Sequence, residues 1–92
     1  MFRYGNNFEF TKGGRFMTEM EWRKIFKDRL IFMMRRANIT QCELAEKSGV
    51  SQPAISCYLA GRKTPNVKAV VNLAYVLGCT VEDLVDYGEN VL

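Results

Sequence analysis

Side chains able to do covalent chemistry are sparse in this chain. It has no histidine, and its three cysteines (Cys42, Cys57, Cys79) are odd in number and lack C-x-x-C spacing. No nucleophile stands beside a base and no glycine-rich phosphate loop occurs, so no enzyme, catalytic residue, metal site or cofactor is expected. The chemistry that remains is hydrogen bonding, concentrated between Gln41 and Thr64. The Gln52 carboxamide can donate and accept at once, as the N7 and N6 edge of adenine requires. Pro53 and Ala54 beside it offer apolar surface suited to a thymine methyl. Ser56 carries a short hydroxyl that serves any base, and Cys57 a thiol that donates weakly. Gln41, Arg62, Lys63 and Thr64 flank this set with amides, a hydroxyl and cations of the kind that hold phosphate without reading sequence. The 52–59 stretch has no arginine or lysine. Strong guanine readout is therefore not expected, and an A·T-leaning site is.

Such groups are useful only if something holds them outward together. Thr40 followed by Glu43 makes a capping box, so a helix should begin at Gln41. Leu44 and Ala45 turn inward, and Gly49 supplies the positive φ that ends the helix. Ser51 can cap a second helix, whose first turn tolerates Pro53 because amides there have no internal partner. Ile55, Tyr58 and Leu59 form its buried stripe, and Gly61 closes it. Two short helices joined by a tight turn make a helix-turn-helix, with Ala45 small enough to let the backbones cross closely. In that geometry the second helix enters the DNA major groove by its N-terminal residues, while the first crosses the backbone. Gln41, at a helix start, would meet phosphate where the helix dipole favours an anion.

The flanking sequence supplies the body. Thr18 with Glu21 is a second capping box, and Met17 with Trp22 a hydrophobic staple, so a helix is expected from Glu19 to Ala37, ended by Asn38. Its inward stripe is Ile25 or Phe26, Leu30, Met33, Met34 and Ala37. Arg23, Lys24, Lys27, Arg29, Arg35 and Arg36 fall largely outside and read first as a solvated face, with phosphate contact by Arg29, Arg35 or Arg36 as the second reading. Asn66 can cap a further helix with Val67, Val70, Val71, Leu73, Ala74 and Leu77 on its apolar face and Gly78 at its end. Thr80 and Asp83 start a last short helix that turns Leu84 and Val85 inward. Five helices and no strand signal after Phe16 predict a compact all-α domain over residues 17–92.

Charge divides along the chain. Residues 17–68 hold ten Lys/Arg against five Asp/Glu, 10 − 5 = +5, whereas 69–92 hold four acids and no base, −4. With +2 from residues 1–16 the total is +3. A basic half carrying the helix-turn-helix fits a partner made of phosphate. No apolar run is long enough to span a bilayer, and unpaired thiols fit a cytoplasmic protein. Residues 1–16 stand apart. They lack helical periodicity and break at Gly5 and at Gly13-Gly14. They read either as an arm with short strands around Gly5-Asn6-Asn7 or as a poorly structured leader. In the second reading Lys12-Gly13-Gly14 is a translated ribosome-binding site and Met17 the physiological start.

From about Leu30 to Tyr87 the chain resembles the lambda-repressor/Cro-type, or XRE-like, helix-turn-helix family of phage and bacterial regulators. The resemblance is carried by Ile39-Thr40-Gln41, Leu44-Ala45, Gly49, Val50-Ser51-Gln52, Ile55, Gly61 with the basic residues after it, Pro65, and the run LAYVLGCTVEDLVDYG. It implies a five-helix fold and a transcriptional regulator, of repressor type, that binds double-stranded operator DNA. It also implies base contact at the Cys57 position and a homodimer. The last two helices, with Leu84, Val85, Tyr87 and Val91, are the expected dimer surface. An antitoxin-like module that uses the same fold to bind a toxin is the alternative. One departure stands out: the family often pairs an arginine with an acid where this chain has Met34 and Leu59. That change suggests a packed replacement and removes one phosphate contact.

Overall fold

The structure is a computed structural model that describes residues 18–85. The leader, Met17 of the staple, Tyr87 and Val91 lie outside the described residues. Five helices follow one another: α1 (Glu19–Ala37), α2 (Gln41–Ser48), α3 (Gln52–Leu59), α4 (Val67–Leu77) and α5 (Val81–Val85). No strand occurs among the described residues.

Local chemistry fixes most of the boundaries. At Thr18 and Thr40 the cap hydroxyl accepts from the amide three residues on, while Glu21 and Glu43 accept from the cap amides at 2.8 and 2.9 Å. Thr80 and Asp83 repeat the exchange at the start of α5, at 3.0 and 3.1 Å. Ser51 and Asn66 cap α3 and α4 from the side chain alone. Stops at Asn38 (φ 54°), Gly49 (φ 78°) and Gly78 (φ 70°) are left-handed. Ala60 caps α3 in ordinary helical geometry, and Gly61 takes the left-handed position just after it.

Every helix sends at least one fully buried side chain to a common centre: Phe26 and Leu30 from α1, Leu44 from α2, Ile55 from α3, Leu73 from α4 and Leu84 from α5. Burying side chains of this size stabilises by about 1.5–3 kcal/mol each before entropy is counted. α1 runs beneath α3 and α5, whereas α2 lies between α3 and α4. Tyr58 meets Phe26 edge-on, with ring centroids 5.5 Å apart and planes at 86°, which seats α3 on α1. Burial pushes the Tyr58 phenol above its ordinary range.

Three inward assignments need correction. Ala37 is exposed, while Met34 one turn earlier is the last α1 side chain in the core. Val67 and Val71 are also exposed, at 79% and 46%. The buried side of α4 is instead Ala69, Val70, Leu73, Ala74 and Leu77, a face rotated from the expected one.

Candidate nucleic-acid interface

The turn between α2 and α3 is held at several points. Ser48, the buried polar residue at the end of α2, accepts from the Val50 amide at 3.1 Å. Gly49 donates back to the Ala45 carbonyl at 3.0 Å. Val50, Ala45 and Ala54 pack half-buried against the core. The turn therefore sets how far α3 stands from the body, and Ile55 and Tyr58 anchor its inner side.

On the outer side Gln52, Pro53 and Ser56 are exposed and Cys57 is half-buried. The polar groups are not independent. Ser56 Oγ donates to Gln41 Oε1 at 2.8 Å, and Cys42 Sγ donates to Gln52 Oε1 at 3.5 Å. The first turn of α2 is thus stitched to α3 twice, across the edge that sequence assigns to bases and phosphate. Ser56 keeps its acceptor lone pairs for a ligand, and Gln41 keeps its amide donors.

The flanking candidates separate. Arg62 and Lys63 are exposed and make no ion pair with any described residue. Thr64 is half-buried: its hydroxyl donates to Glu19 Oε2 at 2.7 Å and accepts from Arg23 Nε at 3.0 Å. Arg23 also pairs with Glu19 at 3.0 Å. The Thr64 hydroxyl bond and the Arg23 guanidinium hold the Glu19 carboxyl below its ordinary range. The Thr64 side chain therefore fastens the α3–α4 loop to α1, so its hydroxyl already has partners within the fold. Arg29 is likewise occupied, donating through Nε to the Asp83 carbonyl at 2.6 Å and lying 5.7 Å from the centre of the Phe32 ring. Leu84, assigned to a dimer surface, is fully buried and closes the core instead. Val85 is half-buried.

An open hollow of about 320 Å³ lies where the end of α1 meets the starts of α2 and the end of α3; Met34, Leu59, Arg35 and Gln41 line it. Met34 is buried and Leu59 half-buried, so both apolar replacements turn toward this hollow. Arg35 is exposed and lines the hollow together with Gln41. Cys42 was missed altogether, since nothing in its type marks it as a neighbour of Gln52.

The architecture is that of a small helical domain built around an exposed second motif helix. Residues 32–84, more than half of the chain, match the helix-turn-helix family, and the protein belongs to that family in its Cro/C1-type, XRE-like form. Two relatives are named as uncharacterized HTH-type transcriptional regulators. MJ0272 of Methanocaldococcus jannaschii is 31% identical over 64 residues, covering 70% of this chain and 97% of its own. YqaE of Bacillus subtilis is 27% identical over 60 residues, covering 65% of this chain. The chain spans about half the length of YqaE, 52%. No solved structure gives a significant match. Among the described residues, no helix is long and apolar enough to cross a membrane.

Proposed function

We propose that this protein is a sequence-specific DNA-binding transcriptional regulator of repressor type, with α3 lying in the major groove of an operator. The observation that carries the reading is the leading edge of α3. Gln52, Pro53 and Ser56 stand exposed on a helix whose other side is sunk in the core. A helix held outward by a rigid turn fits a major groove about 12 Å wide. Gln41 at the start of α2, with Arg35, Arg62 and Lys63 nearby in sequence or space, would hold the phosphates on either side and fix the register. Repression follows most simply from occupancy, because an operator covered by the domain is closed to other proteins. Two copies would read one operator, as the small reading surface of a single α3 requires. The names of both relatives support the regulatory part of the reading.

The test is a gel shift on duplex DNA from upstream of the protein's own gene, with shuffled duplex as competitor. A retarded band that survives the competitor, and is lost in Gln52→Ala with Ser56→Ala, is the expected outcome. Equal competition by shuffled DNA would overturn sequence-specific reading.

A further inference from the structure

By residue type alone Gln52 suits adenine, because a carboxamide can donate to N7 and accept from N6. The folded molecule adds a constraint. Gln52 Oε1 already accepts from Cys42 Sγ, on the first turn of α2, at 3.5 Å. That is an ordinary reach for a sulfur donor, and the bond is weak but directional. A carboxamide is planar, with its nitrogen on the opposite side of the terminal carbon from its oxygen. Holding the oxygen toward α2 therefore turns the NH₂ group away from α2. Both residues are exposed, so the bond sits on the edge that meets DNA rather than beneath it. Ser56 does the same to the other glutamine, engaging Gln41 Oε1. Both carboxamide oxygens thus accept a bond within the motif, and no described residue engages their NH₂ groups.

We propose that Cys42 is a specificity-determining positioning residue, whose hydrogen bond to Gln52 Oε1 presents the Gln52 NH₂ group to the groove and biases the facing base toward acceptor-only edges over adenine. Guanine offers N7 and O6 and thymine offers O4, whereas adenine also asks for an acceptor. To pair fully with adenine, Gln52 must share its oxygen or break the bond to Cys42. The inference rests on the reading of α3 as the recognition helix. Cys42 touches no base itself and acts through Gln52.

The experiment is selection from duplexes with a randomised core, using the full chain as wild type, Cys42→Ser, Cys42→Ala and Gln52→Ala. The base facing Gln52 is the position where Gln52→Ala alone flattens the preference. Wild type should favour guanine or thymine there. Cys42→Ser, which keeps a donor, should retain that preference, and Cys42→Ala should move it toward adenine by about threefold, the effect of one weak neutral hydrogen bond. Preference for adenine by wild type, or an identical preference in Cys42→Ala, would overturn the role of Cys42 while leaving DNA reading intact. Enrichment of no sequence by wild type would overturn the DNA reading and this inference with it.

Discussion

Lys63 and Thr64 are adjacent in sequence and opposite in circumstance. Lys63 reaches solvent with no described partner, whereas the Thr64 hydroxyl is committed to Glu19 and Arg23. Lys63→Ala should weaken binding to all duplexes alike and make the plot of log affinity against log salt shallower by about one unit. Thr64→Val should leave that slope unchanged and lower the thermal midpoint, because it frees the α3–α4 loop from α1. Titrating affinity across salt for both variants checks the pair. The acidic residues make a second expectation at this scale. The Thr40 backbone and side-chain hydrogen bonds hold the Glu43 carboxyl below its ordinary range, and those of Thr80 do the same for Asp83. A carboxyl whose folded pKa is depressed contributes stability above its unfolded pKa and loses it as pH falls through the folded value. Stability should therefore be level near neutrality and decline below the ordinary carboxylate range. Glu43→Gln should show a shallower decline in urea melts taken down that limb.

At the scale of elements, legibility in the sequence follows the distance between interacting residues. The capping boxes at Thr18, Thr40 and Thr80, and the stops at Asn38, Gly49 and Gly78, join residues within one turn, so residue type and short spacing were enough to find them. What escaped links distant elements: Thr64 to Glu19, Arg29 to the Asp83 carbonyl, Ser56 to Gln41 and Cys42 to Gln52. No pattern of types announces those, since each depends on how helices are laid against one another. The errors at Val67 and Val71 have a related cause. α4 is apolar on nearly every side, so periodicity left its rotation open until α2 and α5 chose a face. Gly49 offers the sharpest test of an element. Its φ of 78° is costly for any residue with a Cβ, yet an added Cβ would meet nothing within 4 Å. Gly49→Ala should then cost about 1–2 kcal/mol through backbone strain alone, read as a shifted urea midpoint with unchanged m. Thr40→Ala, which removes one hydroxyl cap, should cost about 1 kcal/mol.

For the whole molecule, the question is how so small a proposed reading surface could find one address. The exposed edge of α3 carries three or four groups able to touch bases, enough for only a few base pairs, so a tight site calls for two copies on one duplex. Its candidate surfaces have narrowed. Leu84 belongs to the core, while α4 exposes Val67, Val71 and Tyr75 four residues apart along one side. A two-copy complex puts its α3 helices about one DNA turn, roughly 34 Å, apart. Spacing then becomes the variable to test. Inserting about five base pairs between half-sites adds half a turn and carries the second half-site to the far face of the duplex. If both copies are joined through the protein, affinity should fall to that of a single half-site, a loss of tenfold or more, and recover in part when a full turn is inserted. Independent copies would bind every spacing equally. Gel shifts on a spacer series, run at one salt concentration because phosphate contacts make affinity salt-dependent, distinguish the two outcomes.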